Sequence, residues 1–273
     1  MQNWKYGSKE QTMKTGLILS DMHCGSYYGI MPDSINIIDP RTHETLKFNA
    51  NSAQREMFKL WKEMCEKVHP DFVLVNGDVA DGPQRKSMGQ TTITNNLKDQ
   101  CEIAIKLLDM IDCDTFYFTL GSGYHSMDDR PLEQYVAERM NGVYGDDLII
   151  ECENIRMHAS HNVPVSASSW QYRSTPLARD LLLHKLNDSA RSYGDIDVVI
   201  RSHAHYHVAV MFTHQLGMIT PCWQTRTPFA VKRDIISPPD IGYIVLEIDG
   251  KQVDMKRRIV HIGKPSPVVT VGK

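Results

Sequence analysis

Histidines and aspartates in this chain recur just after short apolar runs, several of them in pairs two residues apart. Ile200-Arg201-Ser202-His203-Ala204-His205-Tyr206-His207 follows the apolar run Ile196–Ile200, which reads as a buried strand. Side chains alternate along an extended chain, so His203 and His205 point the same way. Neutral imidazole is among the commonest protein ligands for metals. The stretch therefore reads either as a metal site or as a solvated polar turn. Asp21-Met22-His23 repeats the spacing after Gly16-Leu17-Ile18-Leu19-Ser20, where the competing reading is a plain polar strand end. Asp78 follows Asp71-Phe72-Val73-Leu74-Val75 within Asn76-Gly77-Asp78-Val79-Ala80-Asp81. Gly77 permits a tight turn, and Asp78 then projects from the carboxyl end of a strand, where open α/β sheets place their chemistry. Asp81 is either part of the same group or a turn or helix-capping carboxylate. Gly121-Ser122-Gly123-Tyr124-His125 and Ser160-His161-Asn162 complete the set of strand ends.

Positioning such groups takes a scaffold of alternating strands and helices. Strands are predicted at Gly16–Ser20, Asp71–Val75, Thr115–Leu120, Leu148–Ile150, Ile155–Ala159 and Ile196–Ile200. Ala53, Met57, Leu60, Trp61, Met64 and Val68 trace one apolar face of a helix opening near Asn51 or Ser52. A second helix carries Leu97, Cys101, Ala104, Ile105, Leu108 and Ile111. Others start near Pro131 and at Ser174-Thr175-Pro176. After His207 the texture changes to short β-like runs split by Gly, Pro and Asp, at Val208–Phe212, Gly217–Thr220, Gly242–Ile248 and Met255–Ile262. Residues 24–50 read as a long loop with little periodicity, of a length that is often functional. His43 and Glu44 within it read as solvated surface. The expected fold class is α/β, with two packed mixed β-sheets flanked by helices, in a single domain over 1–273. Residues 1–14 are expected to form a loose arm.

Composition narrows the class. The 273 residues carry 30 basic and 33 acidic side chains, a net charge of −3, so no basic nucleic-acid groove dominates the surface. The six cysteines lack any C-x-x-C spacing and read as reduced thiols; Cys24 beside the first Asp-His pair reads as one of them. No run approaches the roughly 18 apolar residues of a membrane span, and Met1–Lys14 lacks the apolar core of a signal peptide. A soluble, cytoplasmic protein with no membrane partner is the expectation.

The order of the blocks, Asp21-x-His23, Gly77-Asp78-x-x-Asp81, Gly121…His125, His161 and His203-x-His205, resembles the calcineurin-like metallophosphoesterase superfamily. The long first loop and Trp223-Gln224-Thr225-Arg226-Thr227-Pro228 look like its compact phage and prophage members. That resemblance implies a four-layer α-β-β-α sandwich, with the β-rich end in the second sheet. It implies two divalent metal ions, Mn foremost, with Fe, Zn or Mg as alternatives. Asp21 and His23 match ligands of the first metal, together with His205. Asp78 matches the carboxylate that bridges both. His203 matches a ligand of the second, as does His161, with His158 as the alternative. His125 matches the histidine that acts near the leaving group. The family's third block has an Asn ligand where this chain has Ser122, so Ser122 is a candidate weak ligand and the second site is expected to hold its ion loosely. Ser202 replaces a glycine, and His207 has no matching role.

The chemistry implied is hydrolysis of phosphate esters, foremost phosphodiesters, by a hydroxide held between two metals, with His125 protonating the leaving oxygen. Arg226 reads either as a phosphate contact or as an ordinary polar surface residue. The expected partner is a phosphate-ester substrate, with nucleotides and nucleic acid among the candidates. The alternative is a non-catalytic protein of the same fold that binds or scaffolds. A metallo-β-lactamase-type hydrolase is disfavoured, because its H-x-H-x-D-H signature lacks the last Asp-His here.

Overall fold

The computed structural model describes residues 13–38, 42–84, 88–123, 130–163, 170–186, 194–232 and 238–263. Among them the chain forms a six-stranded sheet, a five-stranded sheet and a two-stranded hairpin. The first sheet is built around β1 (Lys14–Leu19) and β4 (Phe72–Asn76), which pair in parallel. Next to β4 come β5 (Phe116–Thr119) and β6 (Val143–Gly145), both parallel. On the other side of β1 lie β12 (Ile241–Asp249), antiparallel to it, and β13 (Gln252–Val260). The second sheet takes the order β10-β11-β9-β8-β7, from β7 (Leu148–Cys152), β8 (Ile155–Ala159), β9 (Val198–Arg201), β10 (Val208–Phe212) and β11 (Gln215–Ile219).

Three apolar clusters separate four layers. Ile18, Leu74, Ile244 and Leu246 of the first sheet meet Ile150, Met157, Ile200 and Met218 of the second. The outer face of the first sheet, with Leu17, Leu19, Val73 and Val75, packs on helices α1 (Ser52–Lys67), α2 (Leu97–Leu108) and α3 (Leu132–Arg139). The outer face of the second, with Val199 and Ile219, packs on Leu177 and Leu181 of α4 (Thr175–Leu186). A short fifth helix, α5 (Pro228–Lys232), follows β11. Alternation explains the division, since neighbouring strand residues such as Leu17 and Ile18 face opposite layers. This is the expected α-β-β-α order.

Two expectations are corrected. The β-rich end does not go wholly to the second sheet: β10 and β11 do, but β12 and β13 extend the first. Their register brings Ile244, Leu246 and Ile248 against the sheet-to-sheet core, so the apolar pattern is satisfied on that side too. Residues 24–50 are not a structureless loop. They contain the antiparallel hairpin of β2 (Ser34–Ile38) and β3 (Thr45–Asn49), whose alternating burial holds Ile35 and Ile37 in the core. Of the proposed arm, residues 1–12 lie outside the described residues, while Lys14 already opens β1. The helix start at Asn51 is as expected: Asn51 accepts from the Gln54 backbone N–H, and the Gln54 side chain accepts in return. The Gln54 amide also donates to the Ser26 and Gly29 carbonyls, which ties the loop after β1 to α1. No helix among the described residues is long and apolar enough to cross a membrane.

Candidate metal centre

Asp21 and His23 leave β1 and continue alongside the segment that leaves β4. The Asp21 N–H donates to Gly77 O at 3.1 Å and the His23 N–H to Asp78 O at 3.0 Å. Backbone pairing beyond the strands thus delivers two blocks, 55 residues apart in the numbering, to one place. β8 and β9 extend in the same way, through Ser160 N to Ile200 O (3.1 Å) and Ser202 N to His161 O (2.9 Å). That brings the rings of His161 and His203 to a centroid separation of 5.2 Å. A bond from His203 N to Asp21 Oδ2, 3.2 Å, joins the two sheets at the site.

Six of the predicted ligands fall into two groups whose donor atoms lie within 4.8 Å of one another: Asp21, His23 and His205, and then Asp78, His161 and His203. In the first group His205 Nε2 is 3.1 Å and His23 Nε2 3.8 Å from Asp21 Oδ1. In the second, His161 Nε2 is 3.1 Å from Asp78 Oδ2, and it lies 3.9 Å from Asp21 Oδ1 across the boundary between groups. His161 Nδ1 sits 2.8 Å from the Asn76 carbonyl, to which it donates, so Nε2 is the atom turned to the carboxylates. This is the usual second partner of a metal-bound histidine. Asp21 Oδ1 and His161 Nε2 are buried, and among the described residues they have close charged neighbours but no well-aligned hydrogen bond. Buried polar atoms are rarely left so, and a cation between them would satisfy both.

The backbone is strained at the same place. Asp21, His23, Asp78, His203 and His205 all have positive φ, between 45° and 69°, and they are half of the ten non-glycine residues that do so among those described. Such conformations cost roughly 1–3 kcal/mol each and gather at functional sites. Gly77, at φ +78°, has no room for a side chain: a Cβ there would lie 2.4 Å from His161 Nδ1. At Gly121 a Cβ would lie 2.4 Å from Asp78 Oδ1.

Electrostatics show what the pocket asks for. Burial works against the charge of Asp21, yet His161 and His205 hold its carboxyl well below the usual range. Burial likewise opposes a charged His161, but Asp78 and then Asp21 push it up to about 10. Protons on His161 and His205 then offset the buried carboxylates, while burial lowers the pKa of His203. The candidate donors are carboxylate oxygens and imidazole nitrogens. Cys24 is not among them; burial pushes its thiol well up, so it stays protonated, as read from the sequence.

Ser122 touches the bridging candidate. Its N–H donates to Asp78 Oδ1 at 2.7 Å, and its hydroxyl lies 3.2 Å from both Asp78 oxygens. His158, the alternative to His161, is elsewhere: it faces α4 and lies 2.9 Å from both His184 and Asp147. Burial, and then Arg201, bring its pKa down to about 4. Asp81 is the N-cap of none of α1, α2 and α3; it is buried, with Oδ1 3.6 Å from His23 Nδ1. Arg226 is exposed, as are His43 and Glu44. His207 Nδ1 donates to Ile219 O, at 2.8 Å. His125 lies outside the described residues.

Two contributors went unread in the sequence. Asn76 accepts from His161 and Thr119, and its amide donates to Ser160 O and Ser202 Oγ. Glu133 is 1% exposed, its Oε1 accepting from the Val79 N–H; burial, and then Asp78, push its carboxyl up to about 7. An acid among the apolar residues of a short helix was the available signal.

No protein-family model matches this chain, and no curated protein does. Several solved structures are similar at low identity. Vacuolar Protein Sorting 29 from Cryptosporidium parvum is 10% identical over 91% of this chain and 98% of that one, with a TM-score of 0.46. An archaeal phosphodiesterase is 11% identical over 90% and 99%, with a TM-score of 0.45. A predicted phosphoesterase from Streptococcus pneumoniae is 11% identical over 93% and 95%, with a TM-score of 0.41.

Proposed function

We propose that this protein is a two-metal hydrolase of phosphate esters, with phosphodiesters, nucleotides and nucleic acid as the substrate class. The observation that carries the reading is the pair of triads, Asp21-His23-His205 and Asp78-His161-His203, with all of their residues but His161 on strained backbone. In this reading Asp21, His23 and His205 would hold one ion and His161 and His203 the other, and Asp78, whose carboxylate has two oxygens to offer, would be available to both. Bound together, two such ions acidify water and stabilise charge on a phosphoryl group. The chain's own residues do the rest. Asn76 fixes the tautomer of His161. The Ser122 N–H and hydroxyl aim the Asp78 carboxylate. Glu133, buried close behind, accepts from the N–H of Val79, the residue after Asp78, and so steadies the turn that carries Asp78. His125 takes the leaving-group role that the resemblance assigns to it.

Metal analysis of the purified protein, with Mn²⁺-dependent turnover of bis(p-nitrophenyl) phosphate, tests this. Two ions per chain with turnover, both abolished in Asp78→Ala, is the expected result. Two ions bound with no turnover on monoesters, diesters, cyclic nucleotides or DNA would favour the binding or scaffold protein instead.

A further inference from the structure

Arg201, the last residue of β9, is 4% exposed and turns to the α4 side of that strand, where it meets Asp180 and His184. Its Nη1 donates to two backbone carbonyls on neighbouring strands, His158 O at 3.2 Å and Ile200 O at 2.8 Å. Its Nη2 lies 3.1 Å from His158 Nδ1 and 3.2 Å from His184 Nε2. Its Nε pairs with Asp180 Oδ2 of α4 at 2.8 Å. One guanidinium therefore ties β8, β9 and α4 together, holding β8 at His158, three positions before His161, and β9 at Arg201, two positions before His203.

The pairing of β8 and β9 decides whether those two histidines face one ion. Ala159 stands opposite Ile200, and a slip of one residue would turn every side chain to the other face. A buried ion pair contributes little net stability, because desolvation offsets the attraction. Its use here is geometric. The planar fork of arginine can serve two carbonyls and a carboxylate at fixed angles, and an ammonium cannot.

We propose that Arg201 is a positioning residue that clamps β8 to β9 and so sets the separation of His161 and His203 for the second ion. This role rests on the two-metal reading. Supports placed behind metal ligands typically change affinity by about 10–100-fold, and that is the effect expected of Arg201→Lys, which keeps the charge but loses the fork.

The experiment is a Co²⁺ titration of the full-length protein, followed by absorption and by metal analysis. The second-site step is identified as the one that His203→Ala removes. Arg201→Lys should weaken that step about 10–100-fold, leave the other step unchanged, and regain turnover at raised Mn²⁺. The double variant Arg201→Met with Asp180→Leu, which leaves no orphan charge, should fold and show the same selective loss. Wild-type affinities for both ions in these variants would overturn the proposal. Failure of both variants to fold would also overturn it, because the network would then serve stability alone. A wild-type protein that takes up fewer than two ions would sink the two-metal reading itself, and the clamp with it.

Discussion

The Nε2 atoms of His23 and His205 lie 3.3 Å apart although 182 residues separate them in the chain. Two imidazole nitrogens held that close must share a proton or a cation. Asp21 Oδ1 stands within 4 Å of both, so the point between them is electrically prepared for positive charge.

Metal binding should therefore be proton-linked. His161, pushed up to about 10 by Asp78 and Asp21 against burial, keeps its proton at pH 7 in the metal-free protein. A cation must displace that proton, so affinity should rise with pH, about tenfold per unit for each proton displaced, until about pH 10. Calorimetry in buffers of different ionisation enthalpy counts the protons released. No release at pH 7 would contradict the arrangement.

The same shift bears on stability without metal. A folded-state pKa raised above the ordinary 6.5 contributes stability that is fully present below about 6.5 and is lost as pH rises through about 10. The melting temperature of chelator-treated protein should fall across that window. His161→Asn should flatten the fall.

Gly77→Ala should damage the site from behind. The residue has φ +78°, and the added Cβ would meet His161 Nδ1 at 2.4 Å. The backbone penalty alone is about 1–2 kcal/mol, and His161 must move as well. Denaturant unfolding should show at least that loss, and the second metal should bind at least tenfold more weakly. Normal binding with reduced stability would restrict Gly77 to a turn-forming role.

Ser122→Ala keeps the 2.7 Å backbone bond to Asp78 and removes the hydroxyl contacts at 3.2 Å. Hydrogen bonds to charged groups are worth about 1.5–3 kcal/mol. Since one of two donors remains, the Mn²⁺ concentration for half-maximal activity should rise about tenfold. An unchanged activation curve would mean that the hydroxyl only shapes the loop.

His125→Asn separates roles at the leaving group. A nitrophenolate departs without a proton and an alkoxide does not, so the loss should be small on nitrophenyl esters and about 10²–10⁴-fold on alkyl esters. Metal content should stay as in the wild type. Equal losses with metals retained would assign His125 to charge stabilisation, and loss of metal would make it a ligand.

Sequence alone determined where the site residues emerge. Each of Asp21, Asp78, His161 and His203 follows an apolar run that had to be buried, and a buried parallel strand can present chemistry only at its end. The α1 start at Asn51 and its apolar face were legible for the same reason: cap and periodicity are local. Tertiary structure decided the rest. His158 and His161 are three positions apart in the chain, and both suit a ligand by type. Met157 and Ala159 turn into the sheet-to-sheet core, which sends His158 to the α4 side, while the chain past Ser160 leaves the strand and turns His161 toward Asp78. The placement of β12 beside β1 was likewise hidden, because an apolar strand's pattern says that it is buried but not against which neighbour. Asn76, Glu133 and Arg201 each reach at least one partner more than 40 residues away in sequence, and contacts of that range are set by packing of the layers, which no local spacing records.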